Sequence, residues 1–418
     1  MATTDKPVVT AGMRGASWDP RLMSRPYQVV PYALGTADGQ RTLGFLFTTA
    51  ESGRTVVSLM HPREMAVTHY MVPHVLDAGC ACWVQGSRSI GNDLRLEHEV
   101  ALFDVAAGMA HLRSLGYENI VLLGNSGGAG LYSFYVQQSS LPAAERIART
   151  PGGKPSGLAG LDMPQVQGLV LVGPHPGQGA LLMNCIDPSV LDEGDALSVD
   201  PALDPLNPDN GYRPGGQARY APEFVARYRQ AQRARVERLD ALARQSIAQR
   251  LGARKALKGR EDVSQSERRV AAHTPVMTVW RTDADLRCLD LGLDPSDRHP
   301  GSLWGRDPYA SNYGAVGFAR FCTPESWLST WSGLSSNASL AAAAGAIAQP
   351  TLVIEYTGDQ ACFPGDVRTI HDALATTDKR HLRVRGDHHG RALAEGEEPG
   401  RHEAGRQLAA WLRERFAH

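Results

Sequence analysis

Three side chains in one order could do chemistry here: Ser126, then Asp359, then one of the adjacent pair His388 and His389. The serine stands in Gly124-Asn125-Ser126-Gly127-Gly128, a G-x-S-x-G pattern between the apolar run Ile120-Val121-Leu122-Leu123 and a helix-compatible segment. So sharp a strand-to-helix turn needs small neighbours, because a Cβ at Gly124 or Gly128 would collide with the adjoining helix or strand. The hydroxyl is pushed into the open, and the N–H of Gly127 sits at a helix N-terminus, where a partial positive charge can stabilise an oxyanion. A serine held this way can act as a nucleophile once a base takes its proton and an acid orients the base. A glycine-rich turn with an incidental serine is the competing reading, and the strand before it and the helix after it favour the chemical one.

The acid and base must come from later in the chain. Asp359 follows the strand-like Thr351–Tyr356 in a Gly-Asp turn, at a carboxyl end of a sheet, where active sites collect. Asp387 competes, but next to a histidine in sequence it is poorly placed to support that ring. Counting Gly-x-x-His from Gly386 points to His389, and His388 is its rival. A metal site built from His61, His388 and His389 is set aside, since their spacing matches no ligand motif such as H-E-x-x-H. No cofactor is expected.

Elements able to hold these groups follow from the pattern of the chain. Residues 27–34 and 42–48 read as an antiparallel hairpin about the turn Ala37-Asp38-Gly39-Gln40. Residues 55–60 and 80–85 read as buried parallel strands, with a helix through Met71–Leu76 between them and a helix from Glu97 to Leu115 stopped by Gly116. Cys80 and Cys82 would face one side as small core residues. After the serine turn comes a strand near 166–173. The alternation of strand and helix is then lost until 350, where Thr351–Tyr356, a helix at about 365–375, the strand 381–385 and a last helix at about 407–416 restore it. The intervening stretch carries one long amphipathic helix, Pro222 to Leu251, with Phe224, Tyr228, Ala231, Val236, Leu239, Leu242, Ile247 and Leu251 near one face, and it reads as a lid helix. An aromatic-rich segment follows, in which Trp304, Trp327 and Trp331 form either the core of this stretch or a pocket wall.

The chain has 418 residues, 42% of them hydrophobic and 21% charged, enough for a large α/β unit with an insertion. Lysine and arginine total 43 against 44 acidic residues, a net charge of -1, so nothing draws it to nucleic acid or an anionic membrane. A small-molecule substrate is the expected partner, and the residues leave a homodimer open. Six scattered cysteines read as free thiols. The start of the chain lacks a basic region followed by an apolar one, and a cytoplasmic location is the expectation.

Serine turn, then an acid after a later strand, then a histidine after the last one: this order resembles the α/β-hydrolase superfamily over about residues 27–185 and 345–418. The resemblance implies a mostly parallel, doubly wound sheet with a largely helical cap inserted after the sixth strand. It divides the chain into an N-terminal arm (1–26), a first core part (27–185), a cap (186–345) and a second core part (346–418). It also implies that Ser126 is the nucleophile, that Asp359 orients the base, and that His388 is the base, because Asp387-His388-His389 is similar to the family's Gly-Ala-Asp-His-aromatic ending; His389 stays as the alternate. Gly127 would supply one oxyanion-hole N–H. The family's second donor comes from a loop often beginning His-Gly, which here reads His61-Pro62-Arg63. Proline has no N–H, so Arg63 becomes the expected donor, with a guanidinium that could instead bind a substrate carboxylate or pair with Glu64. His61, Asn125, Trp304, Trp327 and Trp331 are expected to line the substrate pocket. The implied activity is a serine hydrolase cleaving a small to medium, partly hydrophobic or aromatic ester through an acyl-enzyme. Amide, thioester and diketone carbon-carbon bond hydrolysis share the constellation, and a non-catalytic ligand-binding member of the fold is the remaining alternative.

Overall fold

The computed structural model describes Met23 and residues 25–416, so nearly all of the arm expected at 1–26 lies outside the described residues. The first two strands, β1 (Gln28–Gly35) and β2 (Arg41–Thr48), pair as the expected antiparallel hairpin. β1 is a solvent-facing edge and tolerates Pro31, which could not donate within a central ladder. Strands β3 (Thr55–His61), β4 (Ala81–Gly86), β5 (Asn119–Asn125) and β6 (Gly168–Val172) are buried almost throughout. Their continuous Val/Leu/Ile/Ala runs fit strands covered on both faces.

Beyond β6 the chain leaves the sheet and forms only a two-stranded ribbon, β7 (Met277–Thr278) with β8 (Phe321–Cys322), before returning as β9 (Thr351–Tyr356) and β10 (Lys379–Val384). The main sheet has the order β1-β2-β4-β3-β5-β6-β9-β10, antiparallel at β1-β2 and β2-β4 and parallel elsewhere. The insertion therefore falls after the sixth strand, as expected.

Side chains alternate cleanly between two cores. The first helix is α1 (Val72–Asp77); Val56, Met60, Ile120, Leu122, Leu169 and Leu171 face the next two, α2 (His98–Ser114) and α3 (Gly127–Ser140). Val57, Leu59, Val121, Leu123, Val170 and Val172 face the helix Val72–Asp77 and the C-terminal helix Gly400–Phe416. Cys80 and Cys82 share this second face, buried and unpaired. Because β4 and β5 flank β3 on opposite sides, chain direction switches between β3 and β5, and the crevice at their carboxyl ends is where ligands of such sheets bind. His61 ends β3 and Ser126 follows β5. Among the described residues no helix is long and apolar enough to cross a membrane.

The insertion differs from expectation in three ways. Its boundaries move: Leu181, Leu182 and Cys185 pack with the insertion, while Ala338, Leu340 and Ala344 already belong to the core of the sheet. Its long helix runs further, Pro222–Leu257, and exposes Leu242 and Leu251; the buried face carries Gln232, Arg235 and Asp240 in their place. Those polar groups are matched, Arg235 by Glu193 at 2.8 and 2.7 Å and by the carbonyl of Asp187 at 2.7 Å. None of the residues of this helix lines the cavity at Ser126, so it braces the insertion and is not a lid over the serine. Among its ties to the rest is Trp327, whose Nε1–H donates to Asp240 at 2.7 Å inside the aromatic core. Trp327→Phe shrinks the buried indole to a single ring and strands a carboxylate oxygen, so a denaturant titration should show a loss of at least about 2 kcal/mol.

Candidate active site

Ser126 has φ 52 and ψ -116, a left-handed conformation that a non-glycine residue holds only under constraint. The constraint is visible. Ser126 N–H donates to Val172 O of the neighbouring strand at 2.9 Å, and Ser126 O receives Ala129 N–H at 3.1 Å. A Cβ on Gly124 would lie 2.5 Å from Ala129 N, and one on Gly128 would lie 2.5 Å from Met60 O. Both glycines are therefore required by close backbone approach, which drives the serine side chain out over the end of the sheet.

The hydroxyl meets His388, not His389. Ser126 Oγ lies 3.0 Å from His388 Nε2, and His388 Nδ1 lies 2.8 Å from Asp359 Oδ2. Asp359 follows β9 and is fixed through its other oxygen by the N–H groups of Ala361 and Cys362, at 2.7 and 2.9 Å. A carboxylate only accepts, so His388 carries its hydrogen on Nδ1 and turns a lone pair to the serine. Burial opposes charge on His388, but the charge and hydrogen bond of Asp359 outweigh it and raise its pKa above the ordinary value. This arrangement can take a proton from Ser126 and hold it beside the reacting carbon.

His389 lines the same cavity with its ring edge-on to His388 at 5.0 Å, its Nδ1 unpartnered among the described residues. Burial first, and then the neighbouring His388, hold its pKa well below that of a free histidine. Asp387 shapes the loop instead of the base, accepting from the N–H groups of His389 and Arg391 at 3.0 and 2.9 Å.

Other expected residues divide. The cavity, about 430 Å³, is lined by His61, Arg63, Asn125 and Trp304. Trp327 and Trp331 are fully buried in the core of the insertion and do not reach it. The carboxamide of Asn125 is spent on structure, donating to Val172 O at 2.9 Å and meeting His69 Nε2 at 3.3 Å. Arg63 departs most from expectation. Its guanidinium grips Asp93, not Glu64, at 2.7 and 2.8 Å and lies over the Trp331 ring at 5.0 Å. Its N–H, expected to face an oxyanion, points to its neighbour's ring, 3.2 Å from His61 Nδ1.

Several residues not expected at the pocket also line it. Glu64 has an Oε2 without a partner among the described residues, and burial raises its pKa despite nearby Arg63. Gln178, the first residue of the helix after β6, also lines the cavity. His175 stands just past the end of β6, its Nδ1 accepting Gly177 N–H at 3.2 Å. Burial, then the charges of His388 and His98, push its pKa down to about 3. The available signal was a second His-Pro pair directly after an apolar strand, matching His61-Pro62.

The rim joins insertion to sheet. Asp297 N–H donates to Thr357 O at 2.9 Å, Gln360 Nε2 to His299 O at 2.9 Å, and His299 Nε2 lies 3.1 Å from Leu393 O. Among the described residues, Asp359, Cys362 and His388 have metal-compatible spacing. The first and last are already bonded to each other, and the Cys362 thiol, whose pKa burial raises, donates to Gly173 O at 2.9 Å.

No protein-family model and no curated protein matches the chain. Among solved structures it is similar to DcsB in complex with its substrate analogue, at 14% identity and a TM-score of 0.50, over 94% of this chain and 100% of that one. The α/β hydrolase GrgF from Penicillium sp. sh18 gives 13% identity and a TM-score of 0.47 over 94% and 100% of the two chains. Carboxyl esterase 2 from Tuber melanosporum gives 12% and 0.43 over 96% and 90%. At such identities the likeness concerns fold alone. The sheet order, the turn at Ser126 after the fifth strand and the insertion after the sixth give the chain an α/β-hydrolase fold.

Proposed function

We propose that the protein is a serine hydrolase cleaving a small to medium carboxylic ester with a partly hydrophobic or aromatic portion. The observation that carries this reading is the continuous hydrogen-bonded chain from Ser126 Oγ through His388 to Asp359, opening on a cavity of about 430 Å³. Ser126 Oγ attacks the ester carbonyl as its proton passes to His388 Nε2. The alkoxide leaves with that proton, and an acyl group remains on Oγ. Water then gives a proton to His388 and attacks the acyl carbon, releasing the acid and returning the proton to Ser126. Leu181, Leu303, Phe318 and Trp304 supply apolar wall, and Glu64 and Gln178 offer polar contacts, which suits a substrate of mixed character.

Labelling with a fluorophosphonate probe, followed by turnover of a panel of esters, amides, thioesters and diketones, tests the reading. Covalent modification at Ser126 and preferred ester turnover are expected; an unlabelled Ser126 in folded protein would sink it. The pH profile gives a second check. His388 must be neutral to accept a proton, and its pKa is raised, so more alkaline solution is needed to discharge it. The acid limb of kcat/KM should therefore lie above about 6.5 and move down in Asp359→Asn.

A further inference from the structure

The oxyanion formed when Ser126 attacks a carbonyl needs more than one donor, and the backbone readily offers one. Gly127 is the first residue of α3, so its N–H has no acceptor within its own helix. The loop after β3 faces the same crevice and cannot add a second backbone donor in the expected way. Pro62 has no N–H, and Arg63 N–H is directed at His61 Nδ1 at 3.2 Å.

That local bond settles where the hydrogen of His61 resides. With Nδ1 accepting, the neutral ring carries its hydrogen on Nε2. A Cβ placed on Gly127 would lie only 2.8 Å from His61 Nε2, so the ring nitrogen stands directly against the residue whose N–H opens the helix. His61 Nε2 has no acceptor among the described residues, although His61 is only 8% exposed and lines the cavity together with Ser126. The glycine at 127 has a reason in this: any side chain would occupy the space the imidazole reaches into.

Resting on the hydrolase reading above, we infer that His61 is a catalytic residue whose Nε2–H is the second oxyanion donor, a side-chain substitute for the N–H that Pro62 removes. The Arg63 N–H acts through the ring, fixing its tautomer and aim. Burial first, and then the charges of Arg63 and His175, keep the ring neutral, so it donates a hydrogen bond without bringing a fixed positive charge. His175 is built alike, Nδ1 accepting from Gly177, and its Nε2 is 3.4 Å from the same point over Gly127. It bounds the space from the β6 side, while His61 is the nearer ring.

The test compares His61→Phe, which keeps a flat ring without the donor, with His61→Gln, whose carboxamide N–H can reach the same place. For the best ester of the panel, His61→Phe should lower kcat about 100-fold with KM within about threefold, and His61→Gln should recover at least tenfold of that. A trifluoromethyl ketone, which forms a tetrahedral oxyanion adduct on the serine, should lose affinity in His61→Phe in step with kcat/KM. On the wild-type chain labelled with ¹⁵N-histidine, the Nε2 resonance missing from His61→Gln should shift on adduct formation, a readout that needs no folded His61→Phe. A kcat for His61→Phe within threefold of wild type, a glutamine variant no better than the phenylalanine one, or an unmoved Nε2 resonance would each overturn the inference. Fluorophosphonate labelling of wild-type Ser126 separates the two failures. If it occurs, the hydrolase reading stands whatever His61 does; if it does not and Ser126→Ala is as active as wild type, that reading has failed.

Discussion

Ser126→Ala is expected to lower kcat by at least about a thousandfold and to abolish fluorophosphonate labelling, with little change in melting temperature. The loss follows from geometry: Oγ is the atom at 3.0 Å from His388 Nε2, and no other hydroxyl stands between that nitrogen and the cavity among the hydrogen bonds of the described residues. His388→Ala should lose as much, and the double variant no more than either single one, because the two act as a unit. His389→Ala should stay within several-fold of wild type, since its ring bonds neither Ser126 nor Asp359; near-total loss there, with His388→Ala active, would reverse the assignment of the base. Stability separates the nucleophile's chemistry from its backbone. Alanine inherits the φ of 52, whereas Ser126→Gly relieves it and should be more stable than Ser126→Ala by about 1 kcal/mol while equally inactive.

A larger effect on folding is expected next to the serine. Gly128→Ala puts a methyl 2.5 Å from Met60 O, and Gly124→Ala puts one 2.5 Å from Ala129 N. Both obstacles are backbone, so neither can swing aside; α3 would have to part from β3 in the first case and from β5 in the second, at the point where the sheet presents the site. Chemical denaturation should report a loss of about 3 kcal/mol for each, with activity falling along with it. Gly345→Ala is the control, because nothing lies within 4 Å of its added methyl and its φ of -65 suits any residue. If the three variants were equally stable, the close approach of β3, β5 and α3 would be wrong.

Much of the sheet was legible because its strands are buried on both faces, and a run such as Val56–Met60 or Val121–Leu123 has few other uses. The turn at Ser126 was legible for the same physical reason, since only glycine fits where backbones touch. What resisted reading depended on contacts between distant segments. Trp327 and Trp331 could be core or pocket wall until the partners of Asp240 and Arg63 were known. The face of the long helix was misjudged at Leu242 and Leu251 because buried Arg235 and Asp240, satisfied by residues far away in sequence, took apolar positions. His175 could not be assigned without knowing that β6 lies beside β5. Arg63 failed on the shortest scale of all, a bond to a ring two residues away that counting loop positions does not reveal.

The rim bonds of Asp297, His299 and Gln360 have a mechanical consequence. They run from the insertion to Thr357, Gln360 and Leu393, on the two loops that also carry Asp359 and His388. The rim of the insertion and the turns that hold Asp359 and His388 are hydrogen-bonded as one piece, so an outward shift of residues 297–299 would pull on both turns. Doorway and hydrogen-bonded chain hang on the same hinges, and whatever moves one strains the other.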